Sequence, residues 1–588
     1  MKTPILAVCL VILLFPFISR AQDEPFSLRV LNQEPALPAN RYKLMHPFDI
    51  VYGPDNFLYI TEKPGRISRV DTGTGMRKII LDIQQQVYLS ITRSGAGGAA
   101  TDVKQNGMLG LALHPGFSLI SGKDSIYVAY CYNSTGLRIS RFHFDFTTEK
   151  LSNETILIQG IPSNVDHSSG RMIIGGDNCI YYSCGDQGSN QFNNKCKQNL
   201  AQDLPTATQI QSEDYSRYAG KILRIAMDGS VPADNPVWGG VRSHIFTVGH
   251  RNPQGLVWQK DPTNGSPYPT LTTGGTLYSS EHGPNTDDEI NIIEGGKNYG
   301  WPYIAGDTDN INYQYVRWFE ANNCNSIGYV EDPGYVPAGS SVSSEKNAPA
   351  AVKANFRKPM RSVYTDCGSR SVTQCEVANG WLKFPTIAPS SIEYYHLNMS
   401  KGIPGWYPSL LIPTLKKGTV YRYKLDPTGT TLVSDSIPYF KSVDRYRDIA
   451  LSPDGKIYLI TDSIGSTSGP SGQNQAALQH RGAILVYQYT GTVLSLPDPE
   501  NPGRNEPKAS IAVYPNPASS LLTITLTRIR HLPVQYRLHD ISGRPVLSGC
   551  SSKDRIPVPV SQLPRGLYIL QLTDANGTEL KREKIILQ

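Results

Sequence analysis

Residues 449–459 read IALSPDGKIYL and carry the pattern on which the fold prediction depends. An apolar run meets the turn sequence Ser-Pro-Asp-Gly, and a second apolar run with a tyrosine begins at Ile457. Short apolar runs separated by such turn residues predict a β-hairpin. Two further copies read IVYGPDNFLYI at 50–60 and MIIGGDNCIYY at 172–182. The sequence therefore uses one type of hairpin several times.

Repeated hairpins of this kind predict an all-β fold, and specifically a β-propeller. Partial copies at 111–127 and 256–278 extend the pattern along the chain. Blades built from such hairpins close into a ring around a central channel. The copies are irregularly spaced and lack a WD signature, so they do not fix the blade number. An array of sandwiches or barrels is the alternative fold.

The composition indicates a soluble protein with several domains or one large repeat architecture. A chain of 588 residues is too long for one hydrophobic core. The content of 39% hydrophobic and 18% charged residues is that of an ordinary globular protein. The formal charge of +6 is small for this length, and no long lysine or arginine run occurs, which argues against a nucleic-acid partner.

Both ends of the chain differ from the hairpin region. Residues 1–21 are predicted to be a secretory signal peptide, with Lys2 before an apolar run and a small-residue cleavage site, so the protein is expected to be exported. The predicted propeller spans residues 26–490 and a Pro-rich linker spans 491–508. Five short alternating strands predict a small β-sandwich in residues 509–588.

Two long polar segments interrupt the hairpins, at residues 187–218 and 310–380. Loops of this length in a compact domain are usually functional, and in a propeller they would wall a pocket at the channel mouth. Cys367 and Cys375 lie close enough in sequence to close a small disulfide loop outside the cell. The pairing of the other cysteines stays open.

The segment VDHSSGR, residues 165–171, contains a candidate general base. Histidine takes up a proton near neutral pH, and an adjacent carboxylate can raise its basicity or fix its tautomer. His167 follows Asp166 directly. The alternative is a surface loop in which Asp166 begins a turn and His167 points into solvent.

Charged residues from distant parts of the chain form two further candidates. Arg251, Lys416, Arg445 and Arg447, if they converge, form a cationic pocket for a ligand with several carboxylates or phosphates. The run 287–289, Asp-Asp-Glu, supplies hard oxygen ligands suited to calcium. The alternatives are solvated turn cations and a solvated acidic loop.

Several longer motifs occur together and in order, and they carry a family resemblance. They are NVDHSSGR, YYSCGDQGSNQ, GHRNPQG, SSEHGPNTDDEIN, GGKNYGWPYIAG, FPTIAPSS, PTLKKG and DRYRDIALSPDG. In these segments the chain resembles the soluble, pyrroloquinoline-quinone-dependent glucose and aldose dehydrogenases, a family of six-bladed quinoprotein propellers. The resemblance implies oxidation of a sugar C1 hydroxyl to the lactone, with pyrroloquinoline quinone (PQQ) and Ca²⁺ as cofactors.

The resemblance also implies roles for single residues. His167 matches the general base, Asp166 its supporting carboxylate, and Gln105 a polar contact beside the sugar. The positions that match the family's cofactor contacts are Arg251, Asn252, Gln254, Thr386, Lys416, Arg445 and Arg447. Gly283 and Pro284 match the carbonyls that hold the catalytic calcium. Positions matching a second, structural calcium site are Asp288, Glu289, Tyr299 and Ala305.

The substrate side departs from the family pattern. Gln191, Phe192 and Asp462 fall on substrate-pocket positions, and Phe192 stands where the family has a smaller aliphatic residue. Trp381 and Phe384 replace or shift the family's sugar-contacting aromatics. The segment 310–380 aligns poorly with the family's substrate and dimer surfaces. The resemblance therefore implies an aldose substrate and an external electron acceptor, and it allows a homodimer without fixing the sugar.

The C-terminal unit has a resemblance of its own. VYPNP at 513–517, DISGR at 540–544 and LPRGLY at 563–568 are similar to type IX secretion sorting domains. This implies the type IX secretion machinery as a partner and a location in the periplasm, at the cell surface or outside the cell. A carbohydrate-binding sandwich is the alternative, although no exposed aromatic platform is evident in this unit.

Two other functions are compatible with a propeller. A calcium-dependent lactonase or esterase would need carboxylate and asparagine metal ligands at the channel mouth and no cationic quinone pocket. A glycan-binding adhesin would tolerate the loss of His167, whereas the dehydrogenase would not.

Overall fold

The computed structural model describes residues 24–32, 43–93, 100–260, 275–284, 286–308, 315–330, 335–363, 386–397, 402–464, 469–470, 477–491, 510–514, 516–527, 532–553, 555–575, 577 and 579–588. The predicted signal peptide, nearly all of the predicted linker, the Cys367–Cys375 pair, Trp381 and Phe384 lie outside these ranges. The chain divides into two compact units, residues 1–494 and 495–588. In the described ranges no helix is long and apolar enough to cross a membrane.

The first unit contains six four-stranded antiparallel sheets in its described residues. Each sheet is one blade, with its strands given from the inner to the outer one: blade 1 contains β2 (Pro47–Tyr52), β3 (Phe57–Glu62), β4 (Arg66–Asp71) and β5 (Arg77–Asp82), and blade 2 contains β8 (Met108–Leu113), β9 (Ser125–Cys131), β10 (Gly136–Asp145) and β11 (Lys150–Pro162). Blade 3 contains β12 (Ser169–Ile174), β13 (Cys179–Cys184), β14 (Lys221–Ala226) and β17 (Ile245–Val248), and blade 4 contains β18 (Pro253–Trp258), β19 (Leu277–Glu281), β20 (Asp288–Ile293) and β23 (Arg361–Val363). Blade 5 contains β24 (Glu393–Tyr395), β25 (Ser409–Pro413), β26 (Val420–Lys424) and β27 (Ile437–Tyr439), and blade 6 contains β28 (Tyr446–Leu451), β29 (Ile457–Thr461), β30 (Ile484–Tyr489) and β1 (Phe26–Val30).

The six inner strands close into a ring. Strand β2 contacts β8, β8 contacts β12, and the series continues through β18, β24 and β28 back to β2. The outer strand of blade 6 comes from the start of the described chain, where Phe26 pairs with Tyr489 and Val30 with Leu485. Pairing the first strand with the last blade ties the two ends of the ring together. The predicted six-bladed propeller is confirmed.

The repeated hairpin phrase has a local physical cause. Asn56, Asn178 and Gly455 each occupy the fourth turn position with a positive φ of 63°, 57° and 88°, which asparagine and glycine tolerate best. In the copies of blades 1 and 3, residues 50–60 and 172–182, the turn aspartate also accepts a hydrogen bond from the tyrosine four residues later. The hydroxyl of Tyr59 lies 2.7 Å from Asp55 Oδ2, and that of Tyr181 lies 2.8 Å from Asp177 Oδ2.

Short elements in the long insertions complete the first unit. The helices are α1 (Ala207–Gln211), α2 (Ala350–Ala354) and five 3₁₀ turns at Phe192–Asn194, Ser216–Tyr218, Trp318–Glu320, Cys324–Ser326 and Glu345–Asn347. Three two-stranded ribbons pair β6 (Ile91–Arg93) with β7 (Ala100–Val103), β15 (Val237–Trp238) with β16 (Val241–Arg242), and β21 (Tyr315–Val316) with β22 (Val342–Ser343). A disulfide between Cys196 and Cys324 joins two insertions across a sequence separation of 128 residues.

The second unit is the predicted β-sandwich. One sheet contains β31 (Ser510–Tyr514), β32 (Leu521–Thr527) and β35 (Arg555–Pro559), and the other contains β33 (Val534–His539), β34 (Pro545–Ser551), β36 (Gly566–Thr573) and β37 (Glu579–Leu587). Alternate residues such as Leu522, Ile524, Val558, Leu570 and Ile585 are fully or almost fully buried between the sheets. The sequence missed β34 and β35, whose proline and serine content weakens the strand pattern.

Candidate active site

One end of the propeller collects most of the predicted functional residues. In an antiparallel blade, the start of the inner strand and the end of the second strand share one edge. His167, Asn252 and Arg445 stand just before inner strands, whereas Asp186 and Asp462 stand just after second strands. The hairpin topology therefore brings residues that are far apart in sequence to the same end of the ring.

His167 is buried and held by a carboxylate. Its Nδ1 lies 2.7 Å from Oδ1 of Asp186, and its Nε2 lies 3.1 Å from Nε2 of Gln191. Because an amide nitrogen can only donate and Asp186 accepts, these partners assign the ring proton to Nδ1 and leave Nε2 as an acceptor. The ring is thus in the tautomer that a general base requires.

Asp186 is itself fixed from several sides. Its Oδ2 accepts hydrogen bonds from Trp301 Nε1 at 2.8 Å and from Asn199 Nδ2 at 3.0 Å. Its Oδ1 also accepts the backbone N–H of Gly188 at 2.9 Å. A carboxylate with this many donors and 1% exposure has little freedom to leave the imidazole.

In the structure, the carboxylate that contacts the His167 imidazole is that of Asp186, whereas the sequence analysis predicted Asp166. Asp166 instead accepts from Gln105 Nε2 at 2.8 Å and from Gln191 Nε2 at 3.3 Å. The cause is the backbone at His167, whose φ of 45° lies in the left-handed region. Asp166 therefore belongs to an amide–carboxylate network beside the base.

Arg251 connects this network to the next blade. Its guanidinium donates to Gln191 Oε1 at 3.3 Å and to the Gly283 carbonyl at 2.8 Å, and it lies over the Trp301 ring at 5.4 Å. Asn252 accepts from Gln254 Nε2 at 2.9 Å and from Ser169 Oγ at 3.0 Å. In the described part of the protein, the buried Nδ2 of Asn252 has no hydrogen-bond partner.

The predicted cations of blades 5 and 6 form a second group. Asp462 Oδ2 accepts from Arg445 Nε at 3.0 Å and from Arg447 Nη2 at 2.9 Å. Burial opposes ionisation of Asp462, but the charges of Arg447 and Arg445 outweigh it and hold the pKa of this carboxyl below its ordinary value. Lys416 Nζ donates to Thr386 Oγ1 at 2.8 Å. Burial, followed by the charge of Lys417, lowers the pKa of Lys416 to about 8.

Lys63 is a cation that the sequence analysis missed. It stands just after the second strand of blade 1 and is 4% exposed, and its Nζ donates to the Lys104 carbonyl at 2.8 Å. Burial, followed by the charge of Arg447, lowers the pKa of Lys63 to about 7. The signal that could have found it is its position after a second strand, the same position that Asp186 and Asp462 occupy.

Of the predicted metal residues, Gly283, Asp288 and Glu289 lie at the start of β20, whereas the Tyr299 hydroxyl contacts Ile292 near its end. Asp288 accepts the backbone N–H groups of Gly283 at 3.0 Å and Ala388 at 2.9 Å, and burial raises its pKa to about 6. Glu289 accepts the Gly306 N–H at 2.8 Å, and the buried Tyr299 hydroxyl donates to the Ile292 carbonyl at 2.6 Å. Pro284 and Ala305 lie beside these residues in sequence. Within the described ranges, no group of three or more His, Cys, Asp or Glu side chains is arranged to hold a metal ion.

A buried arginine closes the channel beneath the site. Arg171 Nη1 lies 2.8 Å from Asp49 Oδ1 and 2.6 Å from Asp448 Oδ2. The same guanidinium donates to the carbonyls of Gln254 at 3.1 Å and Ser390 at 3.2 Å. Burial raises the pKa of Asp49 well above its ordinary value against the opposing charge of Arg171. One side chain thus joins residues from the inner ends of five blades.

The predicted substrate residues are only partly described. Gln191 lies between His167 and Arg251, and Phe192 beside it is 44% exposed. Trp381 and Phe384 are outside the described residues. Within the described residues, Tyr329 lies next to Phe192, and their ring centres are 5.1 Å apart.

Comparisons with known proteins agree with the motifs. A family model described as "Glucose / Sorbosone dehydrogenase" matches residues 44–356 and 370–469, and one described as "Secretion system C-terminal sorting domain" matches residues 512–588. Quinoprotein glucose dehydrogenase B of Acinetobacter calcoaceticus is 37% identical over 486 residues, which cover 80% of this chain and 92% of the relative. These matches confirm the resemblances that the sequence motifs indicate.

More distant relatives match the same region. Aldose sugar dehydrogenase YliI of Escherichia coli is 25% identical over 429 residues, covering 71% of this chain and 88% of the relative. A crystal structure of a glucose dehydrogenase matches with a TM-score of 0.50 and 21% identity, covering 78% of this chain and 99% of that structure. This last likeness bears on the fold alone.

Proposed function

The chain belongs to the glucose/sorbosone dehydrogenase family, a family of oxidoreductases, and we propose that it oxidises the C1 hydroxyl of an aldose to the lactone. PQQ, the cofactor that the quinoprotein relative's name implies, would be the group held at this site. The observation that carries the proposal is the unprotonated Nε2 of His167, presented at the site while Asp186 holds Nδ1 at 2.7 Å.

The proposed role of His167 follows from its two contacts. Nε2 accepts the proton of the anomeric hydroxyl as the C1–H bond is broken, and the resulting imidazolium is stabilised by the Asp186 carboxylate. Gln191, now 3.1 Å from Nε2, is displaced or turned so that its amide and that of Gln105 contact the sugar hydroxyls. Asp166 orients both amides.

The cationic group fits an acceptor with several carboxylates. PQQ, when bound, supplies the two-electron acceptor to which the hydride is transferred. Arg445 and Arg447 share the carboxylate of Asp462, Lys63 and Lys416 add two further buried amines, and the buried Nδ2 of Asn252 is a donor without a partner in the described chain. Arginine pairs such carboxylates bidentately. We assign these residues, with Arg251, Gln254 and Thr386, to the cofactor.

Calcium is the second proposed cofactor. The carbonyl oxygens of Gly283 and Pro284 are hard donors of the kind that calcium prefers. A calcium ion there would replace the Arg251 guanidinium, which donates to the Gly283 oxygen at 2.8 Å. When bound there, the ion would supply Lewis-acid polarisation. The structural site assigned to Asp288, Glu289, Tyr299 and Ala305 fits less directly, because Asp288 and Glu289 already accept backbone N–H groups.

The decisive experiment is dye reduction with glucose by purified protein, with and without added PQQ and Ca²⁺. Activity that requires both supports the proposal. His167→Ala is expected to lower kcat by about 10²–10⁴-fold while PQQ binding, followed by its absorbance, stays intact. The control is His143→Ala, an exposed position on β10. A His167→Ala enzyme with full activity would refute the assignment of the base.

The alternatives make different predictions. A lactonase would hydrolyse lactones without PQQ. An adhesin would bind glycans equally well after His167→Ala. We also propose export by the type IX route, because the sorting-domain match covers residues 512–588. Deletion of residues 509–588 is expected to keep the protein out of the culture medium and the cell surface.

A further inference from the structure

The central channel of the propeller contains a cavity on the far side of Arg171 from the candidate active site. The cavity encloses about 140 Å³ and is lined by residues from the inner strands of all six blades. Arg171, Asp49 and Asp448, near the middle of their strands, form its closed end. Tyr52 and Leu451, the last residues of β2 and β28, lie at its other end. We call this space the lower channel.

The wall of the lower channel is mostly aliphatic. It includes the side chains of Val51, Leu113, Ile174, Val257 and Leu451. A cavity of similar volume with an aliphatic and aromatic lining stays dry and takes up a molecule as large as benzene. The lower channel therefore has room for a hydrocarbon group of roughly six carbon atoms.

The closed end places two buried carboxylates against one guanidinium. Arg171 Nη1 lies 2.8 Å from Asp49 Oδ1 and 2.6 Å from Asp448 Oδ2. The other charged residues of the lining, Lys260 and Glu393, form an ion pair with each other at 2.6 Å. The charges that line the cavity therefore leave one carboxylate without a cation of its own.

A proton compensates for the missing cation. Burial, reinforced by the charge of Asp448 and opposed by that of Arg171, raises the pKa of Asp49 well above its ordinary value. The two carboxyl groups therefore hold a proton that isolated carboxylates in water would release. A ligand that brings a positive charge to this place would displace that proton.

The carboxylates also retain acceptor capacity. Asp49 Oδ2 accepts the Leu111 N–H at 3.0 Å, and Asp448 Oδ2 accepts the Ile50 N–H at 2.7 Å. A carboxylate has about four lone-pair sites, so these bonds and those to Arg171 do not use all of them. A primary ammonium group supplies three donors and the missing positive charge. A ligand carboxylate would instead add a third negative charge.

We propose that the lower channel binds a linear primary ammonium compound of about four to six carbon atoms, with its head group at Asp49 and Asp448 and its alkyl chain along the aliphatic wall. The site lies beyond the candidate active site in the same channel, and the proposal does not depend on the sugar dehydrogenase function.

The test is calorimetric titration of the full chain, without added PQQ or Ca²⁺, with n-pentylammonium chloride. The expected Kd is about 0.1–1 mM, and each methylene from propyl- to pentylammonium is expected to tighten binding by about 3–4-fold. Titrations in two buffers of different ionisation enthalpy are expected to show the release of up to about one proton per ligand, because the ammonium group favours ionised Asp49.

Two variants change different parts of the lower channel. Asp49→Asn resembles the protonated carboxyl in shape, so the fold should be kept, whereas pentylammonium should bind at least about tenfold more weakly and without proton release. Val51→Phe narrows the cavity and leaves Asp49 in place, and it should also weaken binding by at least about tenfold. The control is Asp145→Asn at the end of β10, which should bind as wild type does. The Tm of each protein shows that it is folded.

The outcomes separate this site from other ways of binding an amine. Binding with proton release that is kept in Asp145→Asn and lost in the two channel variants supports the proposal. No binding to wild type, binding without proton release, or equal binding to Asp49→Asn refutes it. The neutral comparison is 1-pentanol. If it binds wild type as tightly as pentylammonium does, the cavity is a general apolar site and the recognition of ammonium is refuted.

Discussion

The two sides of the candidate site are built in opposite ways. On the base side, His167 and Asp186 are buried, and Asp186 accepts four hydrogen bonds that leave it no freedom. On the cationic side, Arg445 and Arg447 share the carboxylate of Asp462, and Lys63, whose pKa burial and the charge of Arg447 lower, lies near the same group. The hydrogen bonds of the base side are complete without a ligand, whereas on the cationic side two arginines share one carboxylate.

This difference supports the proposed roles, in which the base side does the chemistry and the cationic side binds the cofactor. A base must be held in one tautomer before the substrate arrives, so its partners belong to the protein. A binding pocket for an anion keeps cations whose counter-charge arrives with the ligand. The energetic cost appears in the two lysines, since burial makes their charged forms unfavourable until an anion is present.

The largest effect is expected from breaking the base side. Asp186→Asn replaces the acceptor at Nδ1 with a group that can donate, so the imidazole loses the tautomer with a free Nε2. We expect kcat to fall by about 10³–10⁴-fold, the size seen when the carboxylate of a catalytic histidine is replaced by its amide. PQQ affinity should not change. The measurements are single-turnover dye reduction and an absorbance titration with PQQ.

Asp166→Asn is the matched control for this prediction. It keeps a side chain able to bond Gln105 and Gln191, and it does not touch Nδ1, so its loss of kcat should be at most about tenfold. Equal losses in the two variants would contradict the assignment of Asp186 as the partner of the base.

A smaller effect is expected from breaking the cationic side. Asp462→Asn leaves Arg445 and Arg447 buried without their shared carboxylate, which should lower the free energy of unfolding of the apoprotein by about 3 kcal/mol. Addition of PQQ should recover part of this loss, because its carboxylates supply the missing negative charge. The measurement is Tm with and without PQQ. A PQQ-induced rise in Tm that is no larger in the variant than in wild type would count against the cationic pocket.

The sequence predicted the scaffold better than the contacts within it. The hairpin pattern is local, because Asp55 and Tyr59, like Asp177 and Tyr181, interact four residues apart. It can therefore be recognised from the sequence. The family motifs then supplied the blade number and the candidate residues. Neighbours across strands were harder: Asp166 is adjacent to His167 in sequence, but the left-handed φ at His167 turns the ring towards Asp186 at the end of β13.

The disulfide left no signal in the sequence, and Lys63 left only its position after a second strand. Nothing in nine scattered cysteines selects Cys196 and Cys324, which are separated by 128 residues and meet only when two insertions pack together. Lys63 is a single lysine after a strand, and its burial follows from neighbouring blades. The ring contact between Phe192 and Tyr329 likewise joins one insertion to another. Such contacts depend on tertiary packing, so they can be identified only in the folded structure.

The pH dependence of PQQ binding is expected to be the weakest of these effects. The pKa of Lys63 is lowered to about 7 and that of Lys416 to about 8, so both lose their charge as pH rises through this range. The anion favours the charged forms, so binding should take up protons. We expect the Kd for PQQ to increase by about 3–10-fold between pH 6.5 and 9.

In the apoprotein, the lowered pKa of Lys63 makes stability increase with pH, whereas PQQ affinity is expected to decrease with pH. Because the folded-state pKa of Lys63 lies below its ordinary value of 10.5, the unfolded chain binds more protons above about pH 7, and this group makes the free energy of unfolding rise with pH up to about 10.5. Lys63→Met should flatten both the affinity profile and this contribution to stability. Lys456→Met, at the turn of the blade 6 hairpin, is the control and should change neither. If Lys63→Met binds PQQ with the pH profile of wild type, Lys63 is a structural lysine, and the excess charge belongs to Lys416 and the two arginines alone.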